Sequence, residues 1–66
     1  MSPSDHMVLE HLAFPLNGRT RKDIMHRTGM TNASTVSHSL ERLRKAGLLE
    51  GWDVTEKGQR ELGPQP

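Results

Sequence analysis

The sequence predicts a mainly α-helical domain with one small β-hairpin, in the order helix, helix, helix, hairpin, helix. Apolar residues recur at helical spacing in separate segments, and a Ser or Thr stands at the capping position before each segment. Two short apolar runs follow the longest segment, on either side of a glycine, as in a small hairpin. We assign residues 1–62 to this domain and residues 63–66 to a flexible tail.

Length and composition limit the class of protein. The 66 residues contain no cysteine, which excludes disulfides and thiolate metal sites. A chain this short is near the lower limit for an unassisted core, so its stability must come from packing or self-association. No apolar run approaches the roughly 18 residues that cross a bilayer, and the N-terminus does not resemble a signal peptide. We therefore expect a cytoplasmic protein without membrane contact.

The first helix is predicted from Pro3 to Ala13. Ser2 precedes it as a cap, and Asp5 completes a Ser-x-x-Asp variant of the capping box. Pro15 disfavours helical backbone at Phe14, so the helix should end there. The apolar stripe consists of Val8, Leu9 and Leu12, with Met7 as a further candidate.

The second helix is predicted from Arg21 to Thr28, after a turn at Leu16-Asn17-Gly18. Thr20 caps it, and Asp23 reaches back while complementing the helix dipole. Gly29 stands where a left-handed residue closes a helix. The inner face consists of Ile24, Met25 and Thr28.

The third and longest helix is predicted at about residues 32–46, with Thr31 as its cap and Ala46-Gly47 as its end. Met30 fills the corner before it. The buried stripe consists of Val36, Leu40 and Leu43, with Ala33 and Ala46 beside it. A short helix closed by glycine, a tight corner and a second helix form a helix-turn-helix arrangement.

The segment after the third helix predicts two short strands and a last helix. Leu48-Leu49-Glu50 and Trp52-Asp53-Val54 flank a turn at Gly51. Thr55 caps a helix from Glu56 to Leu62, within which Gly58 indicates close backbone packing. Trp52, the only tryptophan, is interpreted as covering the core or a dimer seam in preference to stacking on a base.

The face of the third helix opposite its apolar stripe suits an edge of DNA. It consists of Ser34, His38, Glu41 and Lys45, flanked by Thr31, Thr35, Ser37 and Arg42. Short polar side chains allow close approach to base edges, while Arg42, Arg44 and Lys45 reach phosphates. The alternative is that the Ser and Thr residues only cap a solvated helix.

Charge is distributed unevenly along the chain. Residues 18–45 hold seven basic and two acidic side chains, a net charge of +5, whereas the remainder carries −4. Arg19, Arg21, Lys22 and Arg27 surround the second helix. We expect Arg21 and Lys22, beside Thr20, to bind phosphates, although these residues also suit a solvated face.

The residues offer little for catalysis or metal binding. His6, His11, His26 and His38 fit no metal-ligand spacing and are interpreted as solvent-facing. Acidic residues are dispersed, and no glycine-rich phosphate loop is present. We expect no enzyme activity, cofactor, metal or small-molecule ligand.

A set of motifs resembles the winged helix-turn-helix domain of MarR-like prokaryotic transcriptional regulators, from about Val8 to Leu62. These motifs are Met30-Thr31, Ser34-Thr35-Val36-Ser37, Leu40-Glu41-Arg42-Leu43, Lys45-Ala46-Gly47-Leu48-Leu49 and Val54-Thr55-Glu56-Lys57-Gly58. In that family the second helix of the turn enters the major groove. The outward positions that meet DNA match Thr31, Ser34, Thr35, His38 and Arg42, and Thr20 matches the start of the supporting helix.

Two departures from the family bear on partners. In that family the hairpin, called the wing, usually carries a basic tip. In this sequence only Glu50-Gly51-Trp52-Asp53 forms the tip of the hairpin. Its long dimerisation helices, and the ligand pocket beside them, are missing. A homodimer would form through helix 1, the last helix or the exposed parts of Phe14, Leu49 and Trp52, and a monomer remains an alternative.

Together these observations predict a small transcriptional regulator, most simply a repressor, that binds specific sequences of double-stranded DNA. The predicted DNA-binding residues are Thr20, Arg21, Lys22, Thr31, Asn32, Ser34, Thr35, Ser37, His38 and Arg42. The alternative is a winged-helix module that binds proteins within a larger assembly.

Overall fold

A computed structural model describes residues 2–14 and 18–63. Its elements are α1 (Pro3–Ala13), α2 (Arg21–Thr28), α3 (Ala33–Lys45), β1 (Leu49–Glu50), β2 (Asp53–Val54) and α4 (Glu56–Leu62). The strands pair antiparallel, with Leu49 opposite Val54 and Glu50 opposite Asp53. The predicted fold class and element order are confirmed, while residues 16–17 of the first turn and 64–66 of the tail lie outside the described residues.

Capping side chains set the helix boundaries. The Thr20 hydroxyl accepts a hydrogen bond from the Asp23 N–H and the Asp23 carboxylate accepts one from the Thr20 N–H, which forms the expected capping box. The cap of α3 is Asn32 and not Thr31, because the Asn32 Oδ1 accepts from the Ser34 N–H at 2.9 Å. Thr31 lies one residue too early to do so.

Among residues 2–14 and 18–63, nine apolar side chains form one core between the helices and the hairpin. They are Val8, Leu9, Leu12, Ile24, Val36, Leu40, Leu43, Leu48 and Leu49. Met25, Met30, Val54 and Leu62 pack against this cluster. The stripes predicted on the first three helices are confirmed, and Met30 fills the corner of the helix-turn-helix as expected.

Several residues lie elsewhere than predicted. Met7, the further candidate for the stripe of α1, is exposed, and so are Ala33 and Ala46 beside the stripe of α3. Leu49 is 3% exposed and therefore offers no surface to a second copy. Its burial follows from the pairing of β1 with β2, which turns the Leu49 side chain toward α3 and leaves that of Glu50 in solvent.

Backbone geometry at the end of α3 sends the chain back into the core. Gly47 has φ +78°, and the Leu48 N–H donates to the Leu43 carbonyl at 2.9 Å while the Gly47 N–H donates to the Arg44 carbonyl at 3.0 Å. These two bonds form a Schellman motif, which closes the helix without a side chain. Leu48 therefore enters the core immediately after the helix ends.

Gly58 of α4 packs directly on the preceding segment, as expected. A Cβ at this position would collide with the backbone carbonyl of Leu48 and lie 2.8 Å from Val54 Cγ1. The missing side chain therefore allows α4 to approach the hairpin.

We predict that Gly58→Ala lowers the free energy of unfolding by about 1–3 kcal/mol, although Ala is the better helix former. The backbone carbonyl of Leu48 cannot move aside as a flexible side chain can. Urea denaturation followed by Trp52 fluorescence measures the change. Gln59→Ala on the exposed side of the same helix is the control and should alter stability by less than about 0.5 kcal/mol. Equal stability of Gly58→Ala and wild type would contradict the close packing.

Candidate nucleic-acid interface

The exposed face of α3 consists of four polar residues opposite its buried side. Val36, Ser39, Leu40 and Leu43 form the buried side, and Ser34, His38, Glu41 and Lys45 are exposed on the other. This is the orientation predicted from helical periodicity, with Ser39 as an addition to the core. The α3 face, as we name these four exposed residues, is the centre of the candidate interface.

One flank of the α3 face joins α3 to the start of α2 and to the hairpin. Arg21 Nη1 donates to Ser37 Oγ at 2.9 Å, so Ser37 is half-buried under the first residue of α2. Two turns further along α3, Arg44 Nε donates to the Gly51 carbonyl at 3.0 Å, and the Arg44 guanidinium lies 5.6 Å from the centre of the Trp52 ring. These contacts place α2, α3 and the hairpin turn on one surface.

The other flank carries Thr35 and Arg42, and Arg42 is bound to α1. Its Nε and Nη2 donate to the two carboxylate oxygens of Asp5 at 3.0 and 2.8 Å, and Nη2 also donates to Ser39 Oγ at 3.2 Å. Asp5 is nearly buried, with 9% of its side chain exposed, against 56% for Arg42. A bidentate pair of this kind fixes the guanidinium as well as neutralising it.

The ion pair shifts the pKa of both groups. The hydrogen bond from Arg42 lowers the pKa of the Asp5 carboxyl below its ordinary value of 3.8, although burial acts in the opposite direction. The hydrogen bond to Asp5 raises the pKa of Arg42 in return. The sequence prediction placed Arg42 at the edge of a DNA groove, but it did not anticipate Asp5, 37 residues away, as its partner.

The other basic side chains near the candidate interface differ in the contacts that they make. Arg19 pairs with Asp53 at 3.2 Å, and Arg27 donates to the Phe14 carbonyl at 2.9 Å. Lys22 and Lys45 are exposed and make no side-chain hydrogen bond or ion pair with any other described residue. The basic side chains of α3 and of the start of α2 that form no ion pair with a described residue are therefore Arg21, Lys22, Arg44 and Lys45.

Two residues predicted to contact DNA, Thr20 and Asn32, also form hydrogen bonds within helix caps. Thr20 donates its hydroxyl to Asp23 Oδ2 at 2.8 Å while accepting from the Asp23 N–H. Asn32 uses its carbonyl oxygen for the cap of α3, which leaves its NH₂ group as a donor. Thr31 and Asn32 are both exposed at the start of α3.

The histidines do not share one environment. His11 is 1% exposed, and its Nε2 lies 2.7 Å from the Gly18 carbonyl, so its assignment as solvent-facing is wrong. It connects α1 to the segment that precedes α2. His26 and His38 are exposed, as expected. Within residues 2–14 and 18–63, no three His, Cys, Asp or Glu side chains lie close enough to hold a metal ion.

The hairpin is a very short wing. Gly51 and Trp52 form its two-residue loop, with Gly51 at φ +63° in the first position, where type II′ turns favour glycine. Trp52 is 39% exposed and lies against Arg44. The loop itself carries no basic residue, and the cation beside it comes from α3.

Comparison with known proteins gives one match. A family model described as a winged helix DNA-binding domain matches residues 1–61. No curated protein and no solved structure matches the chain. In the part of the chain that the structure describes, no helix combines the length and apolar character required to cross a bilayer.

We predict that Asp5→Asn makes the unfolding equilibrium constant about tenfold larger near neutral pH, because an amide cannot replace a carboxylate toward Arg42. Since the folded-state pKa of Asp5 is lowered, the ion pair stabilises fully above pH 3.8 and less as the pH falls through the folded value. The stability difference between wild type and Asp5→Asn should therefore shrink in acid. Urea titrations across this range measure it.

The control for this experiment is Asp53→Asn, which removes the exposed pair with Arg19. An exposed pair stabilises little, so this variant should remain close to wild type. A difference between wild type and Asp5→Asn that stays constant from neutral pH to well below pH 3.8 would contradict the assigned role of the carboxylate.

Proposed function

The chain belongs to the winged helix DNA-binding domain family, and from this premise we propose that it binds specific sequences of double-stranded DNA with α3 in the major groove. The observation that carries the proposal is the α3 face, which is polar and exposed above a stripe of buried aliphatic side chains. An α-helix fits the width of the major groove. The core beneath it then holds the helix at a fixed distance from the base edges.

The residues predicted from the sequence to contact bases lie in the first two turns of α3 or directly before it. Ser34, Thr35 and His38 are exposed there, and each carries a short side chain that donates or accepts hydrogen bonds. Thr31 and Asn32 precede them at the helix start, the part of a recognition helix that approaches bases first. Ser37 acts differently, because its hydroxyl holds Arg21.

Phosphate contacts come from the basic residues around the α3 face. Lys22 and Lys45 supply exposed ammonium groups, whereas Arg21 and Arg44 are held in place by Ser37 and by the hairpin loop. Arg42 contributes through Nη1, which the pair with Asp5 does not use. The N–H and hydroxyl of Thr20 both donate to the Asp23 carboxylate, so in this proposal Thr20 positions the start of α2 beside the backbone of the duplex.

We further propose a regulatory role in the cytoplasm, most simply repression by occluding a promoter. The resemblance to MarR-like regulators supports this role. We also propose a homodimer on a two-fold symmetric site, formed through surfaces other than the long dimerisation helices of that family. Helices α1 and α4 lie away from the α3 face, and Met7 and Phe14 are exposed on or beside α1. These surfaces are the candidates for contact between copies.

A second candidate function is protein binding within a larger assembly. The observation in its favour is the exposure of three large apolar side chains, Met7, Phe14 and Trp52. A module that binds only proteins is not expected to show salt-sensitive affinity for DNA. The two functions are therefore separated by one measurement.

We predict salt-sensitive binding of the wild-type chain to a fluorescently labelled random duplex. About five phosphate contacts per subunit give a slope of log K against log salt of roughly −4 to −5. Fluorescence anisotropy between about 50 and 200 mM salt measures this slope. A slope near zero, or no binding at low salt, would contradict the proposal and favour the protein-binding module.

We predict that substitutions on the interface separate affinity from sequence preference. Lys22→Ala and Lys45→Ala should weaken binding to all duplexes and reduce the salt slope by about 1 each, because each removes one phosphate contact. Ser34→Ala and His38→Ala should keep the slope and relax the preference at one base pair by about 1–3 kcal/mol. Selection from a random library followed by anisotropy measures both quantities.

Arg60→Ala is the control for the lysine variants. It removes the same charge from α4, where Arg60 pairs with Glu56 on the surface. Its salt slope should equal that of wild type. If Arg60→Ala reduced the slope as much as Lys45→Ala, the effect would come from net charge and not from the proposed surface.

A further inference from the structure

Glu41 is the one acidic residue of α3, and it lies at the centre of the α3 face. It follows His38 by three residues and precedes Lys45 by four, and all three side chains are exposed. Together with Arg42 they line a shallow depression of about 250 Å³. A carboxylate at this place needs an explanation, because it would oppose the phosphates of any bound duplex.

The structure leaves the Glu41 carboxylate without a described partner. Its chain neighbour Arg42 is held by Asp5, and Arg44 is held by the Gly51 carbonyl and Trp52. The ion pairs among described residues join Arg19 to Asp53, Arg42 to Asp5 and Arg60 to Glu56, and none includes Glu41. Arg42 and Arg44 thus form contacts elsewhere, and neither forms an ion pair with Glu41.

The chemistry of an ionised carboxylate restricts what it can bind in a major groove. It only accepts hydrogen bonds, so it matches the amino groups of cytosine and adenine and is repelled by the acceptors of guanine and thymine. Cytosine presents N4–H₂ alone, whereas adenine presents its N7 acceptor beside N6–H₂. A carboxylate therefore favours cytosine over adenine.

We propose that Glu41 determines specificity by accepting a hydrogen bond from the N4 amino group of a cytosine, an inference that rests on the proposed function. The same charge weakens binding to duplexes that present guanine or thymine at this position, since the carboxylate then faces hydrogen-bond acceptors. Glu41 thus lowers affinity for random DNA while it raises the ratio between specific and random sites.

The test is Glu41→Gln, which keeps the shape of the side chain and removes its charge. Gln pairs with adenine through N6 and N7, so the selected sequences should change from cytosine to adenine at one position per α3 helix. Discrimination at that position should change by about 5- to 150-fold, the range of one specific base contact. Affinity for a random duplex should rise. Library selection and anisotropy provide both readouts, and thermal unfolding by circular dichroism checks that the variant is folded.

Glu10→Gln is the matched control, because Glu10 is an exposed carboxylate on α1, outside the α3 face. It should leave the selected sequences unchanged. The inference is overturned if Glu41→Gln selects the same bases as wild type, or if Glu10→Gln changes the selection in the same way. Failure of the proposed function is distinguished beforehand, since the wild-type chain would then show no salt-sensitive binding to any duplex.

Discussion

The apolar side of α3 packs on α1, α2 and β1 through Val36, Leu40 and Leu43, and this contact fixes the direction of every other side chain on the helix. Burying side chains of this size stabilises the fold by about 1.5–3 kcal/mol each. The exposed Ser, His and Lys side chains opposite them contribute little to folding. A rotation of α3 that buried its polar side would therefore cost most of the stability that a domain of this size possesses.

Polar contacts refine the orientation that packing establishes. The pair between Arg42 and Asp5 joins one flank of α3 to the start of α1, while Ser37 and Arg44 join the other flank to α2 and to the hairpin. Both arginines beside Glu41 are used in this way. Because these bonds use both arginines to hold α3, the carboxylate of Glu41 remains available to a ligand.

Local sequence signals were sufficient for most of the fold. Helical periodicity and capping residues predict the bounds of α1, α2 and α4 and those of α3 to within one residue, and Gly58 indicates the close approach of α4 to the hairpin. The exposed side of α3 followed from the same periodicity. Errors arose where two neighbouring residues compete for one role, as with Thr31 and Asn32 at the cap, and where pairing of strands decided the burial of Leu49.

Contacts between distant segments were beyond sequence reasoning. Asp5 was interpreted as part of a local cap, yet its carboxylate binds a residue 37 positions later. His11 Nε2 lies within hydrogen-bond distance of the Gly18 carbonyl, and Trp52 lies against Arg44. Neither contact produces a periodic pattern in the sequence. A charged residue at an inward helical position, as Asp5 is beside Val8 and Leu9, was the one available indication of a buried ion pair.

In the proposed complex the polar side of α3 is the surface that binds DNA. Its most direct test is to record ¹H–¹⁵N correlation spectra of the labelled chain while a short duplex is added. We expect the largest changes at the amides of residues 20–22 and 31–45, with α4 nearly unchanged. Changes confined to α1 and α4, or none at saturating duplex, would contradict it.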